Sequence, residues 1–136
     1  MRRIFRKADA EERVAHDGFP RAVQMMIEPA TAGASHLAMG TESVDPGSAI
    51  PVHVHPEAEE ILFLYAGHGR ARVGDEEVEI GPETAVFVPP GEPHGFVNTG
   101  GGAAWLTWTL APPGDHQKFR DAAVWTHARR EHRDGG

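Results

Sequence analysis

The amino-acid sequence predicts an all-β domain, because short apolar runs and turn residues alternate along most of its length. Sixteen glycines and eleven prolines are spread through the 136 residues, where they separate runs rich in Val, Ile and Phe. Regularly spaced short strands bounded by Gly and Pro are typical of β-sandwiches and β-barrels. The run GDEE after Val73 adds a hairpin turn, since Gly and Asp accept the backbone angles that a tight turn requires.

Strands are predicted from about residue 21 to about residue 110. They are Arg21–Glu28, Ser35–Val44, Val52–His55, Glu60–Tyr65, Gly69–Val73, Glu77–Ile80, Ala85–Val88, Pro93–Asn98 and Ala103–Leu110. Two flanking segments do not show the strand pattern. Glu12 follows Asp9 at the spacing of a capping box, which predicts a short helical turn near the N-terminus. From Asp115 to about Arg133 the charged composition predicts a C-terminal helix, with Phe119 on the face that packs against the barrel.

Length and charge limit the organisation and the partners of the chain. One domain is expected over residues 1–136, with a barrel core at about 21–111 and a C-terminal helix and tail at about 115–136. The net charge of -7 argues against a nucleic-acid partner, because the diffuse attraction to phosphate is lacking. No run of about 18 apolar residues is present, and MRRIFRK leads into a charged segment. We therefore expect no membrane partner and a cytoplasmic location.

The segment from Gly47 to Gly67 carries the clearest chemistry. His53 and His55 are two residues apart, so on a strand both imidazoles project from the same face. Glu60 opens the next apolar run, and His94 follows a Pro-Pro-Gly turn further along the chain. The chain has no cysteine, so any metal must be bound through nitrogen and oxygen.

These residues resemble the two sequence motifs of the cupin family. Gly47, His53, His55, Glu60 and Gly67 match every defining position of the first motif. Pro89, Gly91, His94 and Asn98 match the second motif, whose opening glycine is replaced by Glu83. The resemblance covers about Gly47 to Asn98 and implies a double-stranded β-helix, also called a jelly-roll or cupin barrel.

The resemblance also implies that His53, His55, Glu60 and His94 ligate one divalent metal per chain, namely Fe, Mn, Ni, Co or Zn. A buried carboxylate beside three imidazoles is costly unless a cation compensates it, which agrees with that assignment. Glu59 is the alternative ligand at a shorter spacing, but Glu60 keeps six residues to Gly67. Glu60 is also the candidate catalytic base if it detaches from the metal. His68 is expected at the surface, and His36 is expected to be a satisfied or exposed histidine rather than one that points into the barrel near the metal.

Three functions are compatible with such a site. Large apolar residues on the predicted strands, such as Phe63, Phe96 and Trp108, favour a dioxygenase-like oxidoreductase acting on a small apolar or aromatic substrate. The alternatives are a metal-dependent isomerase, lyase or decarboxylase, and a non-catalytic metal- or ligand-binding module. A homodimer is expected because barrel edges need cover.

Overall fold

A computed structural model describes residues 2–128, which form two antiparallel β-sheets packed face to face. The strands are β1 Glu11–Ala15, β2 Arg21–Ile27, β3 Ala38–Val44, β4 Ala49–His53, β5 Glu59–Ala66, β6 Gly69–Val73, β7 Glu76–Ile80, β8 Thr84–Val88, β9 His94–Asn98, β10 Ala104–Ala111 and β11 Trp125–His127. Two four-residue helices are present, α1 Pro29–Ala32 and α2 Lys118–Asp121, together with 3-10 turns at Lys7–Asp9 and Asp115–Gln117.

The two sheets divide the strands unequally. The larger sheet has the order β11-β1-β2-β3-β10-β5-β8, and the smaller has the order β4-β9-β6-β7. From β3 to β10 the chain changes sheet at every step except from β6 to β7, which is the double-stranded β-helix that the resemblance implied. Among the described residues, no helix is long and apolar enough to cross a membrane.

The core lies between the inner faces of the sheets. In β10 every second residue is buried, and the others are partly exposed on the outer face. This alternation follows from the two-residue period of a strand. The buried members of β10 are Ala104, Leu106, Trp108 and Leu110, and they pack with Val23, Met25, Val44, Leu62, Leu64 and Phe96.

The predicted N-terminal helical turn is wrong at residues 11–15, because they form strand β1. Glu11 to Val14 pair with β2, and Arg13 to Ala15 pair with β11 on the other side. A capping-box pattern is a local signal, and two long-range strand partners outweigh it. The only helical structure near this point is the 3-10 turn at Lys7–Asp9, within residues 2–128.

The predicted C-terminal helix is also much shorter than expected. Helical structure extends only from Asp115 to Asp121, and Ala122 then adopts an extended conformation. The chain continues as β11, in which Trp125 is buried and pairs with Ala15. Burial of that indole and pairing with β1 favour the strand over the helix. Residues 129–136, which the helix prediction reached in part, lie outside the described residues.

A buried ionic cluster attaches the C-terminal segment to the larger sheet. Glu28 is fully buried after β2, where its carboxylate accepts hydrogen bonds from Arg120 and lies 2.9 Å from Nε2 of His116. Burial alone would raise the pKa of Glu28, but Arg120 and His116 together hold it below its usual value. An ionised Glu28 therefore fixes both ends of the short helical segment.

Several motif positions have a left-handed backbone, and Gly67 and Glu83 show why this matters. Gly67 has φ 93, and a Cβ there would lie 2.8 Å from Cα of Ala104, so the glycine is required. Glu83, which replaces the opening glycine of the second motif, has φ 68, and its N–H donates to the carbonyl of Leu64. The turn therefore has the left-handed conformation that favours glycine, although a glutamate occupies this position.

Replacing Glu83 by Gly should raise the free energy of unfolding by up to about 1 kcal/mol, because glycine adopts a positive φ without a steric penalty. Chemical denaturation measures the change. Glu77→Gly is the matched control in an exposed strand position, where glycine should destabilise the fold by roughly 0.5–1 kcal/mol. A destabilised Glu83→Gly protein would contradict the strain assigned to this turn.

Candidate metal centre

Four side chains from three strands and one loop meet at one end of the barrel. His53 ends β4 and pairs in register with His94, which begins β9. His55 lies in the loop after β4, and Glu60 comes from β5 in the opposite sheet. Their candidate ligand atoms all lie within 4.8 Å of one another, so the group could hold a metal ion. Glu60 is 6% exposed whereas Glu59 is exposed, which agrees with the choice of Glu60.

Each imidazole has its Nδ1 occupied by an oxygen. Nδ1 of His53 lies 2.8 Å from the carbonyl oxygen of Pro51, and Nδ1 of His94 lies 2.9 Å from that of Glu92. Nδ1 of His55 lies 2.9 Å from the Asp115 carboxylate. Because these oxygens can only accept hydrogen bonds, each neutral ring carries its proton on Nδ1 and donates it to the oxygen. All three Nε2 lone pairs are then free for a metal, in the arrangement typical of histidine ligands.

Two buried atoms of the group are unsatisfied. Oε1 of Glu60 and Nε2 of His94 are 2.9 Å apart, yet neither forms a hydrogen bond of acceptable geometry within residues 2–128. With the proton of His94 on Nδ1, two lone pairs face each other in a buried site. A cation between them would remove this repulsion, so the residues fit a bound metal ion.

His53 and Glu60 have the protonation states that metal binding requires. Burial, followed by the positive charge of Lys118, lowers the pKa of His53 to about 3, so this imidazole is neutral at neutral pH. Burial would raise the pKa of Glu60, but positive charge at the positions of His55 and His94 lowers it to about 2, and a metal ion bound there would supply positive charge in the same place. A neutral imidazole and an ionised carboxylate are the forms that bind metal.

The four residues lie at the end of a cavity of about 210 Å³, which we call the metal cavity. Its walls are mainly apolar and aromatic, and the C-terminal segment covers one side. The apolar lining includes Ile50, Leu62, Trp108, Leu110, Phe119 and Trp125. An apolar cavity with a few polar groups is the usual form of a small-molecule site.

A second set of charged side chains lines the metal cavity and was missed in the sequence. Arg21 comes from β2, Glu42 from β3 and Lys118 from α2. Nε of Arg21 lies 3.4 Å from Oε2 of Glu42, which is longer than a normal hydrogen bond. Burial is the main cause that raises the pKa of Glu42 to about 7, against the opposing charge of Arg21.

One signal in the sequence could have identified Glu42. Strand β3 places Gly40, Glu42 and Val44 on the same face, and that face packs inward. A carboxylate in the middle of an inward-facing set is a candidate functional group. Asp115 and Lys118 offered no such signal, because they belong to the segment predicted as a surface-packed helix. His36 and His68 are exposed, as expected.

This fold and this site define a small cupin with a three-histidine, one-glutamate centre. The model of the cupin domain family matches residues 40–110, so the chain belongs to the cupin family. That stretch holds all four candidate ligands.

Curated relatives include proteins of polyketide synthesis. The chain is 29% identical over 91 residues to the tetracenomycin polyketide synthase protein TcmJ of Streptomyces glaucescens, covering 67% of this chain and 61% of that protein. It is 33% identical over 90 residues to protein SchB of Streptomyces halstedii, covering 66% and 65%. The chain thus spans less than two thirds of these relatives.

Solved structures show the same fold. The polyketide cyclase RemF of Streptomyces resistomycificus is 25% identical, with a TM-score of 0.68 and coverage of 83% of this chain and 80% of that chain. A predicted oxalate decarboxylase from Thermotoga maritima has a TM-score of 0.73 at 18% identity, covering 82% of this chain and 100% of that chain. The second likeness concerns the fold alone.

His94→Ala should weaken metal affinity by orders of magnitude, because it removes one of four ligands while the barrel keeps its other contacts. Titration with Zn²⁺ or Mn²⁺ measures the affinity, and circular dichroism checks the fold. Glu60→Gln should cause a similar loss. Glu59→Gln is the matched control, since its side chain is exposed, and it should bind metal like the wild type. Unchanged stoichiometry and affinity in the His94→Ala protein would contradict the four-ligand site.

Asp115→Asn should lower metal affinity by roughly 10- to 100-fold, because Asp115 orients His55 and makes its Nε2 a better ligand. The same titration measures this effect. Asp121→Asn, an exposed change at the end of α2, is the control and should have no effect. Equal affinity in both variants would show that the Asp115 contact does not support the site.

Proposed function

We propose that this protein is a metal-dependent enzyme that carries out a proton-transfer reaction without dioxygen on a small, largely apolar or aromatic carbonyl compound. Such a reaction belongs to the cyclase, isomerase or lyase type. The observation that supports it is the position of Glu42, a buried carboxyl that shares the metal cavity with the four candidate ligands and stands outside their group.

The separation between Glu42 and the ligands suits a bound substrate. Glu60 pairs through the sheet with Leu110, whereas Glu42 pairs with Leu106 on the same strand. Four residues of a strand correspond to roughly 13 Å between the two backbone positions along the sheet, whereas the side chains are near enough for the charge of Glu60 to contribute to the raised pKa of Glu42. The two carboxyl groups therefore approach the cavity from different levels, and a small molecule between them would contact both ends.

The chemistry follows from the residues that line the metal cavity. A divalent ion held by His53, His55, Glu60 and His94 would supply Lewis-acid polarisation of a substrate carbonyl. Glu42 takes the proton from a neighbouring carbon: the C–H bond breaks, an O–H bond forms on the carboxyl, and the electron pair moves to the substrate oxygen. Return of the proton to another atom gives an isomer, or follows a ring closure. A pKa of about 7 suits a group that both accepts and donates a proton near neutral pH.

The relatives support the substrate class. TcmJ and CurC carry polyketide synthase in their names, and RemF is described as a polyketide cyclase. Polyketide intermediates are chains of carbonyl groups whose intervening carbons lose protons readily. Aromatic side chains such as Trp108 and Phe119 would pack against the ring systems formed from them.

A dioxygenase-like reaction is the second candidate, and the number of protein ligands is compatible with it. Three imidazoles and one carboxylate leave two open positions on a six-coordinate Fe, Mn, Co or Ni ion, enough for substrate and dioxygen. On zinc the same four ligands would fill a tetrahedral shell. A non-catalytic binding module is the third candidate, since the same cavity could retain a ligand without reaction.

One experiment separates these functions. Protein purified without added metal is analysed for metal content, then incubated with aromatic polyketone probes while an oxygen electrode records dioxygen. We expect a rearranged or cyclised product with no oxygen consumption, and a loss of at least ~10²-fold in rate for Glu42→Gln. Glu57→Gln, an exposed change beside the ligands, is the control. Oxygen uptake in proportion to product would establish the second candidate, and tight binding without turnover the third.

The homodimer and the cytoplasmic location stay predictions. The outer face of β5 and β8 offers apolar side chains for self-association, because Ile61 and Phe87 are exposed and directly paired. Sedimentation at micromolar concentration should show a dimer, and monomer alone would contradict it.

A further inference from the structure

Lys118 is a partly buried cation in the lining of the metal cavity. The chain has two lysines, and only Lys118 lines this cavity, whereas Lys7 lies over the ring of Trp105, outside the set of lining residues. Within residues 2–128 the Lys118 ammonium makes no hydrogen bond or ion pair, and its recorded contact is with the Phe119 ring, 5.3 Å from the ring centroid. An ammonium has three donors, so these donors are free for a ligand.

The neighbouring residues hold Lys118 in this position. His116 and Arg120, two residues away on either side, both contact the buried carboxylate of Glu28. Phe119 is buried in the core next to it. The backbone around Lys118 is therefore anchored on both sides. Burial lowers the pKa of Lys118, which shows that its charge is poorly solvated there, although Glu42 and Glu60 oppose the shift.

The charges around Lys118 leave the cavity positive. Arg21, on the facing strand β2, is neutralised by Asp17 through two contacts of 2.8 and 3.0 Å. Glu60 belongs to the candidate metal group, and a divalent ion there would exceed its single negative charge. Glu42 and Asp115 are the other carboxyls near Lys118: the pKa of Glu42, about 7, leaves it partly protonated at neutral pH, and Asp115 is paired with Nδ1 of His55. An anionic ligand would balance this surplus.

We propose that Lys118 binds an anionic oxygen of the ligand, so that the metal cavity accepts an aromatic or apolar organic anion such as a carboxylate or phenolate. The inference rests on the proposed function for the location of the substrate and adds the charge class of that substrate. The ammonium binds the anionic oxygen, and the aromatic walls bind the ring. The ligand is thus held at two points, which would orient its reacting carbon towards Glu42.

The test uses benzoate and its neutral counterpart benzamide as probes, and calorimetry measures their binding to the metal-loaded protein at pH 7. Wild type should bind benzoate more tightly than benzamide. Lys118→Gln should weaken benzoate binding about tenfold or more and leave benzamide binding unchanged. Lys118→Arg keeps the charge and should retain the preference. Lys7→Gln is the matched control, because it removes the chain's other lysine, which lies outside the lining of the cavity.

Because benzoate could also bind a metal directly, the titrations are repeated in the His94→Ala background, where metal binding is expected to be lost. The effect of Lys118→Gln should persist there. Equal benzoate affinity with and without Lys118, no preference for benzoate in wild type, or no binding of either probe would overturn the proposal. The readout is binding alone, so a failed turnover or oxygen assay would reject the proposed function without affecting this result.

Discussion

The interaction on which the site depends is the approach of one buried carboxylate to three imidazoles at the junction of the two sheets. Glu60 belongs to the larger sheet, whereas His53 and His94 belong to the smaller one. Oε1 of Glu60 and Nε2 of His94 have no satisfactory partner in the protein, so the junction carries an uncompensated electrostatic cost. A cation would remove that cost and join the sheets at the same time. A metal ion bound here would therefore also stabilise the barrel.

The groups around this junction fix the orientation of the three imidazole rings. The imidazoles are held through Nδ1 by two carbonyl groups and by Asp115, so their rotation is limited. Two of these contacts are local, because Pro51 and Glu92 each lie two residues before the histidine that they hold. The third crosses from the C-terminal segment. The site thus combines ligands that the barrel itself orients with one whose orientation depends on Asp115.

Much of the barrel and its ligand group could be predicted from sequence because the signals are periodic and local. The two-residue spacing of His53 and His55 correctly predicted that both rings join one group, although β4 ends at His53 and His55 lies in the loop after it rather than on the predicted strand Val52–His55. The hairpin from Gly69 to Ile80 was predicted from its turn residues. Strands β1 and β11 were missed because β1 is held between β2 and β11, and β11 lies more than a hundred residues from its partner in sequence. Local propensity does not contain that information.

The inner polar groups were missed for a different reason. Glu42 and Arg21 would be assigned to the outer face of their strands by polarity alone, yet both are buried. Their orientation is set by the register of β2 and β3, in which the inward positions also include Val23 and Val44. A buried charge in such a register departs from the usual apolar pattern, and departures of this kind are expected at functional sites.

The cupin stretch and the segments that flank it contribute different side chains to the cavity. The four candidate ligands lie between residues 40 and 110, the stretch that matches the cupin domain. Arg21, Lys118, Phe119 and Trp125 also line the cavity but lie outside that stretch. Part of the surface that would contact a ligand therefore lies outside the stretch that carries the metal ligands, although Asp115 of the C-terminal segment also supports His55. Related chains could keep the same metal ligands and differ in the small molecules that they bind, because substitutions in the flanking segments would change the lining of the cavity.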